Sequence, residues 1–164
     1  MRDLAAIFEK AGCTGVETYI QSGNVVFTPP ARAGKLLGAT VSEAIRKRFG
    51  FEVPVVVRTA AALAAVARGN PFLAAGGETD SLHVLFLATA PPAARIAGLD
   101  PKRSPPDEFA VRGGEIYLRC PNGIGNSKLT NGWFDGKLAT VSTGRNWRTV
   151  LKLLALSSVD GGQP

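Results

Sequence analysis

The stretch ETYIQSGNVVF at Glu17–Phe27 reads as two short strands around a turn, and EFAVRGGEIYL at Glu108–Leu118 has the same length, the same opening glutamate and a turn glycine in register, Gly23 matching Gly114. A two-residue loop at Ser22 and Gly23 would pair Ile20 with Val25 and Thr18 with Phe27, and the second copy would pair Val111 with Ile116 and Phe109 with Leu118. Each hairpin then has one apolar face that helices must cover. A chain holding two such hairpins is expected to repeat what surrounds them.

The surrounding sequence agrees. Asp3 is expected to cap a helix over Leu4–Ala11, whose apolar positions Leu4, Ile7, Phe8 and Ala11 recur at helical spacing before Gly12. After the hairpin the pattern predicts a helix over Lys35–Phe49, then a β-branched strand over Val53–Thr59. An alanine-rich helix over Ala60–Arg68 ends at Gly69–Pro71, and the Gly-rich GGETD at Gly76–Asp80 marks a boundary between halves 1–76 and 77–164. The second half reads as a strand at Leu82–Ala88, a short helix begun by Pro91 and Pro92, the hairpin, a helix over Ser127–Lys137, a strand at Ala139–Thr143 and a last helix over Arg145–Leu156.

That order is the βαββαβ, or ferredoxin-like, unit, and the first half is the same unit without its opening strand. The expected fold is therefore α+β: tandem ferredoxin-like units, the first incomplete, with a C-terminal helix. In the strand order 4-1-3-2 the missing strand is central, and buried backbone groups left there unpaired cost about 1 to 3 kcal/mol each. Three explanations are open: a start codon upstream of Met1, which Met1 opening directly on a helix favours; a strand supplied in trans by a neighbouring chain, making a homodimer; or a different pairing in the first half.

No run of about 18 apolar residues is free of charge and the N-terminus lacks a signal-peptide core, so a soluble cytoplasmic protein with no membrane association is expected. Cys13 and Cys120 have no cysteine or histidine partner near them in sequence and read as reduced packing thiols. The formal charge of +6 makes an acidic partner plausible, and from Arg112 onward seven basic residues face three acidic ones.

Several spaced motifs, TYIQSGNVVF, NPF at Asn70–Phe72, LHVLFL, PNGIGNSKLTN and RNWRTVLKL, together resemble a bacterial family, domain-of-unknown-function family 1697. The resemblance implies two ferredoxin-like halves. Its members typically open with a further strand and a loop resembling Arg-Gly-Ile-Asn-Val-Gly-Gly, which this sequence lacks, and it implies no reaction.

Two stretches carry the candidate chemistry. PNGIGNSKLT at Pro121–Thr130 is a Gly-rich turn opening a helix; its Ser127 precedes Lys128 and its glycines are too close for a P-loop, but a helix N-terminus can hold an anion without that motif. STGRNWRTVLKLLAL at Ser142–Leu156 has an apolar stripe of Trp147, Val150, Leu151 and Leu154, with Arg145, Arg148 and Lys152 on another face. In a βαββαβ unit the third and fourth strands run parallel, so the two helix starts should lie roughly 10 Å apart on one sheet edge. Lys128, Ser142, Thr143, Arg145, Asn146 and Arg148 are the expected anion pocket. Gln21, Ser22 and Asn24, at the first hairpin tip, are secondary candidates.

Other chemistry has less support. His83 is the sole histidine and reads as structural, so neither a metal site nor a cofactor is expected. Asp107 and Glu108 precede a strand on which neighbours point to opposite faces, against a carboxylate pair. The function expected is a non-catalytic binding protein for an anionic, phosphorylated or nucleotide-like small molecule. The alternatives are an enzyme on such a substrate with unassigned catalytic groups, and an RNA-binding module using Phe27 or Tyr117 without the usual Gly-Phe-rich motif.

Overall fold

The computed structural model describes residues 1–32, 36–74 and 78–159. The protein is α+β with two antiparallel sheets, and its residues group into two units: Met1–Ala60 with the chain end from Leu153, and Ala61–Lys152. The boundary expected at Gly76–Gly77 lies outside the described residues, as does Lys35, the expected first residue of the second helix. Among the described residues no helix is long and apolar enough to cross a membrane.

The first unit opens with α1 (Arg2–Lys10), which buries Ile7 and Phe8. It begins ahead of the expected cap: Asp3 lies in the first turn, where a carboxylate suits the helix dipole, and meets Arg48 at 3.2 Å. Strands β1 (Thr14–Tyr19) and β2 (Asn24–Thr28) then form the two-stranded sheet. Their register corrects the expected one, for Thr18 pairs with Val25 and Tyr19 with Asn24, leaving a four-residue turn at Ile20–Gly23. Asn24 is the reason. Its side chain is 5% exposed, and its Nδ2 donates to the Tyr19 carbonyl at 3.3 Å and to Ser22 Oγ at 2.8 Å, bracing a wider turn in which Ile20 and Gly23 both have positive φ.

Helix α2 (Leu37–Phe49) buries Leu37, Val41 and Ile45, one stripe at a spacing of four, and closes on Gly50 at φ +81°. Each of these side chains contributes about 1.5 to 3 kcal/mol of burial. They meet Ile7 and Phe8, while Phe27 of β2 tilts against Phe8 with ring centroids 4.8 Å apart.

Val53–Thr59, expected as a strand, joins no ladder among the described residues. Val53 and Val55 still pack on the core, and Ser42 Oγ donates to the Val53 carbonyl at 2.7 Å. A Cβ on Gly38 would stand 3.2 Å from the Val55 carbonyl oxygen, so glycine lets α2 approach this backbone closely. Strand propensity without a strand beside it produces an extended segment and no sheet.

The second unit contains most of α3 (Ala60–Gly69), then α4 (Pro71–Ala74), β3 (Leu82–Leu87), α5 (Ala93–Ala97), β4 (Glu108–Arg112), β5 (Glu115–Arg119), α6 (Asn131–Leu138) and β6 (Ser142–Asn146). Helix α7 (Trp147–Val159) follows β6 directly. The sheet order is β4-β5-β3-β6, which is 2-3-1-4 counted within the unit, with every neighbouring pair antiparallel. The hairpin register is the expected one, Val111 opposite Ile116 and Phe109 opposite Leu118 around Gly113–Gly114. The two hairpins therefore differ at their turns, and Gly23 and Gly114 are not equivalent.

Leu85, Leu87, Ile116 and Leu118 from one sheet face, Leu99, Leu129, and Phe134 and Leu138 of α6 make the second core. Val84 and Phe86, on the other face of β3, are also buried, which is why this central strand is apolar at almost every position.

Two boundaries differ from expectation and both bear on the site. Helix α6 begins at Asn131 instead of Ser127, because Leu129 reaches the core from an extended segment and Thr130 caps the helix, its Oγ1 accepting the Trp133 N–H at 3.2 Å. Strand β6 lies three residues later than expected, because α6 runs to Leu138 and Ala139 takes a left-handed conformation at φ +52° before the chain can re-enter the sheet.

Candidate functional site

Strands β5 and β6 flank β3 and run parallel to each other, so the chain leaves both at the same sheet edge, beside the start of β3. There, within the second unit, lies an open groove of about 560 Å³. One wall comes from Ile124, Gly125, Ser127 and Leu129 to Asn131; the other is Gly144, Arg145 and Asn146 at the end of β6, with His83 and Leu85 of β3. Register explains the grouping, since His83 is opposite Asn146 and Leu85 opposite Gly144, on the face that α6 covers.

Of the expected pocket residues, Arg145 and Asn146 line this groove. Arg145 belongs to β6 and not to a helix face, so the expected stripe of Arg145, Arg148 and Lys152 does not exist. Its Nη1 donates to Thr143 Oγ1 and to the Gly144 carbonyl, each at 2.7 Å. Burial holds the Arg145 guanidinium below its ordinary pKa. Asn146 caps α7, its Oδ1 accepting the Thr149 N–H at 2.8 Å.

The others stand elsewhere. Lys128 has an exposed side chain outside the groove lining, and its backbone N–H donates to Ser104 Oγ at 3.0 Å. Ser142 sits at the opposite end of β6 from Asn146, about 13 Å away along the strand, and its Oγ donates to Asp135 Oδ1 at 2.6 Å. Thr143 receives the Arg145 bond. Arg148, in the first turn of α7, pairs with Asp80 at 2.9 Å, both side chains 80% exposed, an arrangement that puts a carboxylate beside a cation the helix dipole disfavours. At the first hairpin tip, Ser22 and Asn24 are engaged in the turn and Gln21 is exposed.

Sequence reasoning missed Thr130, Asn131 and Gly144 and set His83 aside. The signal for the first two was the pair Thr130–Asn131 directly ahead of the aromatic Trp133 and Phe134, an N-cap followed by a core-facing turn. Asn131 Nδ2 donates to Ser142 Oγ at 2.9 Å. Gly144 stands in a tight place: a Cβ there would meet Leu85 Cδ2 at 3.0 Å, so that side chain would have to give way slightly, and Asn131 Oδ1 at 3.5 Å, an ordinary contact.

His83 is half-buried, its Nδ1 is enclosed without a hydrogen-bond partner, and burial pushes its pKa below 6.5 against a smaller opposing effect of the Ser81 backbone. The fold thus favours neutral imidazole. The unfolded chain takes up this proton first on acidification, so the stability that the neutral form provides is complete above about pH 6.5 and declines below it. Because His83 is the only histidine, we expect the urea midpoint to fall between about pH 7.5 and pH 5.5 in the native sequence and to fall less in His83→Leu. Equal decline in the two would assign the effect to other groups.

The RNA alternative requires an exposed aromatic platform. Tyr117 is 3% exposed and Phe27 rests on Phe8. Among the described residues no three His, Cys, Asp or Glu side chains gather as a metal site would need.

A family model described as "Protein of unknown function (DUF1697)" matches residues 1–117. No curated protein and no solved structure matches the chain. The match ends within β5, so most of the groove, from Ile124 to Asn146, is built by residues beyond it.

Proposed function

The chain belongs to the DUF1697 family of proteins of unknown function, and from that premise, which names no ligand, we propose that it is a non-catalytic binding protein whose second unit takes an anionic, phosphorylated or nucleotide-like small molecule in the groove. The observation that carries this reading is the groove itself, lined by the polar Ser127, Thr130, Asn131 and Asn146 at a sheet edge where Arg145, whose side chain leaves β6 on the Val84 face, adds a partly desolvated cation. A partly desolvated cation at this edge has a field less screened than a surface one, which favours an anion nearby. Residues Ala61–Lys152 add a general attraction, with eleven Lys and Arg against seven Asp and Glu, a difference of +4.

A thermal-shift screen of phosphate, phosphosugars and nucleotides tests it. A ligand at a hundredfold excess over its Kd stabilises by about 2.7 kcal/mol. Arg145→Ala should abolish most of that shift, and Lys128→Ala, altering a residue outside the groove, should keep it. If no anion shifts the melting temperature, or if Arg145→Ala retains the full shift, the reading fails.

We also infer that the fold is a tandem of ferredoxin-like units, the first incomplete. The second unit supports this by its strand order. The first supports it by running α1, hairpin, α2 and the extended Val53–Val57 in the order of α5, hairpin, α6 and β6. The element without a counterpart is β3, and the strand position beside Val53–Val57 is the one β3 would hold. A solved structure with Val53–Val57 paired directly to β2 would refute this inference.

A further inference from the structure

We propose, building on the groove as a ligand site, that it recognises an amide-type edge, a hydrogen-bond donor and an acceptor side by side as a nucleobase or a carboxamide carries them, in addition to any anionic group. The polarity of two asparagines leads to this. Asp135 Oδ1 is a carboxylate oxygen with no proton to give. Ser142 Oγ, 2.6 Å away, therefore donates to it. With its single proton engaged, Ser142 only accepts from its other neighbour, so the Asn131 atom at 2.9 Å is the amide nitrogen Nδ2. The amide is locked, and Oδ1, an acceptor without a partner among the described residues, is left to the groove that Asn131 lines.

Asn146 is locked in the opposite sense. The Thr149 backbone N–H is a donor, so the atom 2.8 Å from it is Oδ1, and Nδ2 is the group left to the groove. Asn131 lies against Gly144, with Oδ1 3.5 Å from the place of an added Cβ, and Asn146 is two residues further along the same face, about 7 Å by strand geometry. One fixed acceptor and one fixed donor thus border a groove that also has apolar walls from Leu85, Ile124 and Leu129. A bare phosphate uses the donor and leaves the acceptor and the apolar walls idle. A planar group with its own donor and acceptor engages all three.

Isothermal titration of the full chain with four probes tests this: inorganic phosphate, ribose 5-phosphate, AMP for a base edge and nicotinamide mononucleotide for a carboxamide. Wild type should bind AMP or nicotinamide mononucleotide at least about tenfold more tightly than ribose 5-phosphate, the scale of one paired polar edge. Asn146→Ser retains a capping oxygen and loses Nδ2; Asn131→Ala removes Oδ1 while Ser142 keeps Asp135. Each should remove that preference, bringing the AMP and nicotinamide mononucleotide affinities down to that of ribose 5-phosphate, with an unaltered melting temperature showing that the fold survives. Equal affinity of all three phosphorylated organic probes for wild type, or a preference that both variants retain, overturns the edge reading while the anion reading stands. Absence of binding by every probe overturns both.

Discussion

Phe134→Ala is expected to lower stability by about 3 to 5 kcal/mol, the range for emptying a buried aromatic position. Phe134 is fully buried and stands edge-on to Phe109 and Trp133, with centroids 5.3 and 4.7 Å away. Helix α6 has eight residues, among them two glycines, and buries only Phe134 and Leu138, so its attachment to the sheet depends on those two side chains. Losing one frees the helix that carries Asn131. Urea titration followed by tryptophan fluorescence measures the effect, since Trp133 reports on the same contact. Phe134→Leu, which keeps most of the volume, should cost less than about 1.5 kcal/mol. A similar loss in both would mean that ring volume is not what secures α6.

The parts of the fold that were legible in the sequence are those where a local rule and a tertiary demand coincide. Gly113–Gly114 gives the second hairpin a two-residue loop, and its register follows. In the first hairpin the Asn24 side chain does what turn backbone would otherwise do, and no propensity reveals that. The error was a shift of two residues, which preserves the faces, so Val25 and Phe27 still meet the core as their alternation requires. Val53–Thr59 has the composition of a strand, but a strand is defined by its neighbour, and single-segment composition does not supply one.

The site was legible to the extent that topology was. Parallel β5 and β6 with β3 between them follow from the order of strands and helices, and the groove lies at the sheet edge where that order brings the two chain exits together. Its residues came out unevenly, because Ser-Thr-Gly-Arg-Asn has no strong preference and becomes strand through pairing with β3 along its whole length. That pairing kept Arg145 and Asn146 at the groove and carried Ser142 to the far end. Lys128 was lost because Leu129 takes the place in the core and the helix start moves to Asn131.

Ser104→Ala is the second large expected effect, and it acts on the groove from behind. Ser104 and Asp107 are each 9% exposed; Ser104 Oγ donates to Asp107 Oδ2 at 2.7 Å and accepts the Lys128 N–H at 3.0 Å. One hydroxyl therefore satisfies a buried carboxylate oxygen and anchors the backbone that leads into Leu129, Thr130 and Asn131. Removing it leaves two polar groups unpaired at about 1 to 3 kcal/mol each, so the loss should be about 2 to 4 kcal/mol after partial relaxation. A loss of purely global stability would raise exchange at all core amides alike. The anchoring role predicts more: the Lys128 amide should exchange faster in Ser104→Ala by a larger factor than the amides of β3, whereas Ser104→Thr, which keeps the hydroxyl, should restore its protection. If Lys128 exchanges no faster than in the native sequence, the hydroxyl does not hold this wall, and Asn131 is kept in place by Leu129, the Thr130 cap and its bond to Ser142.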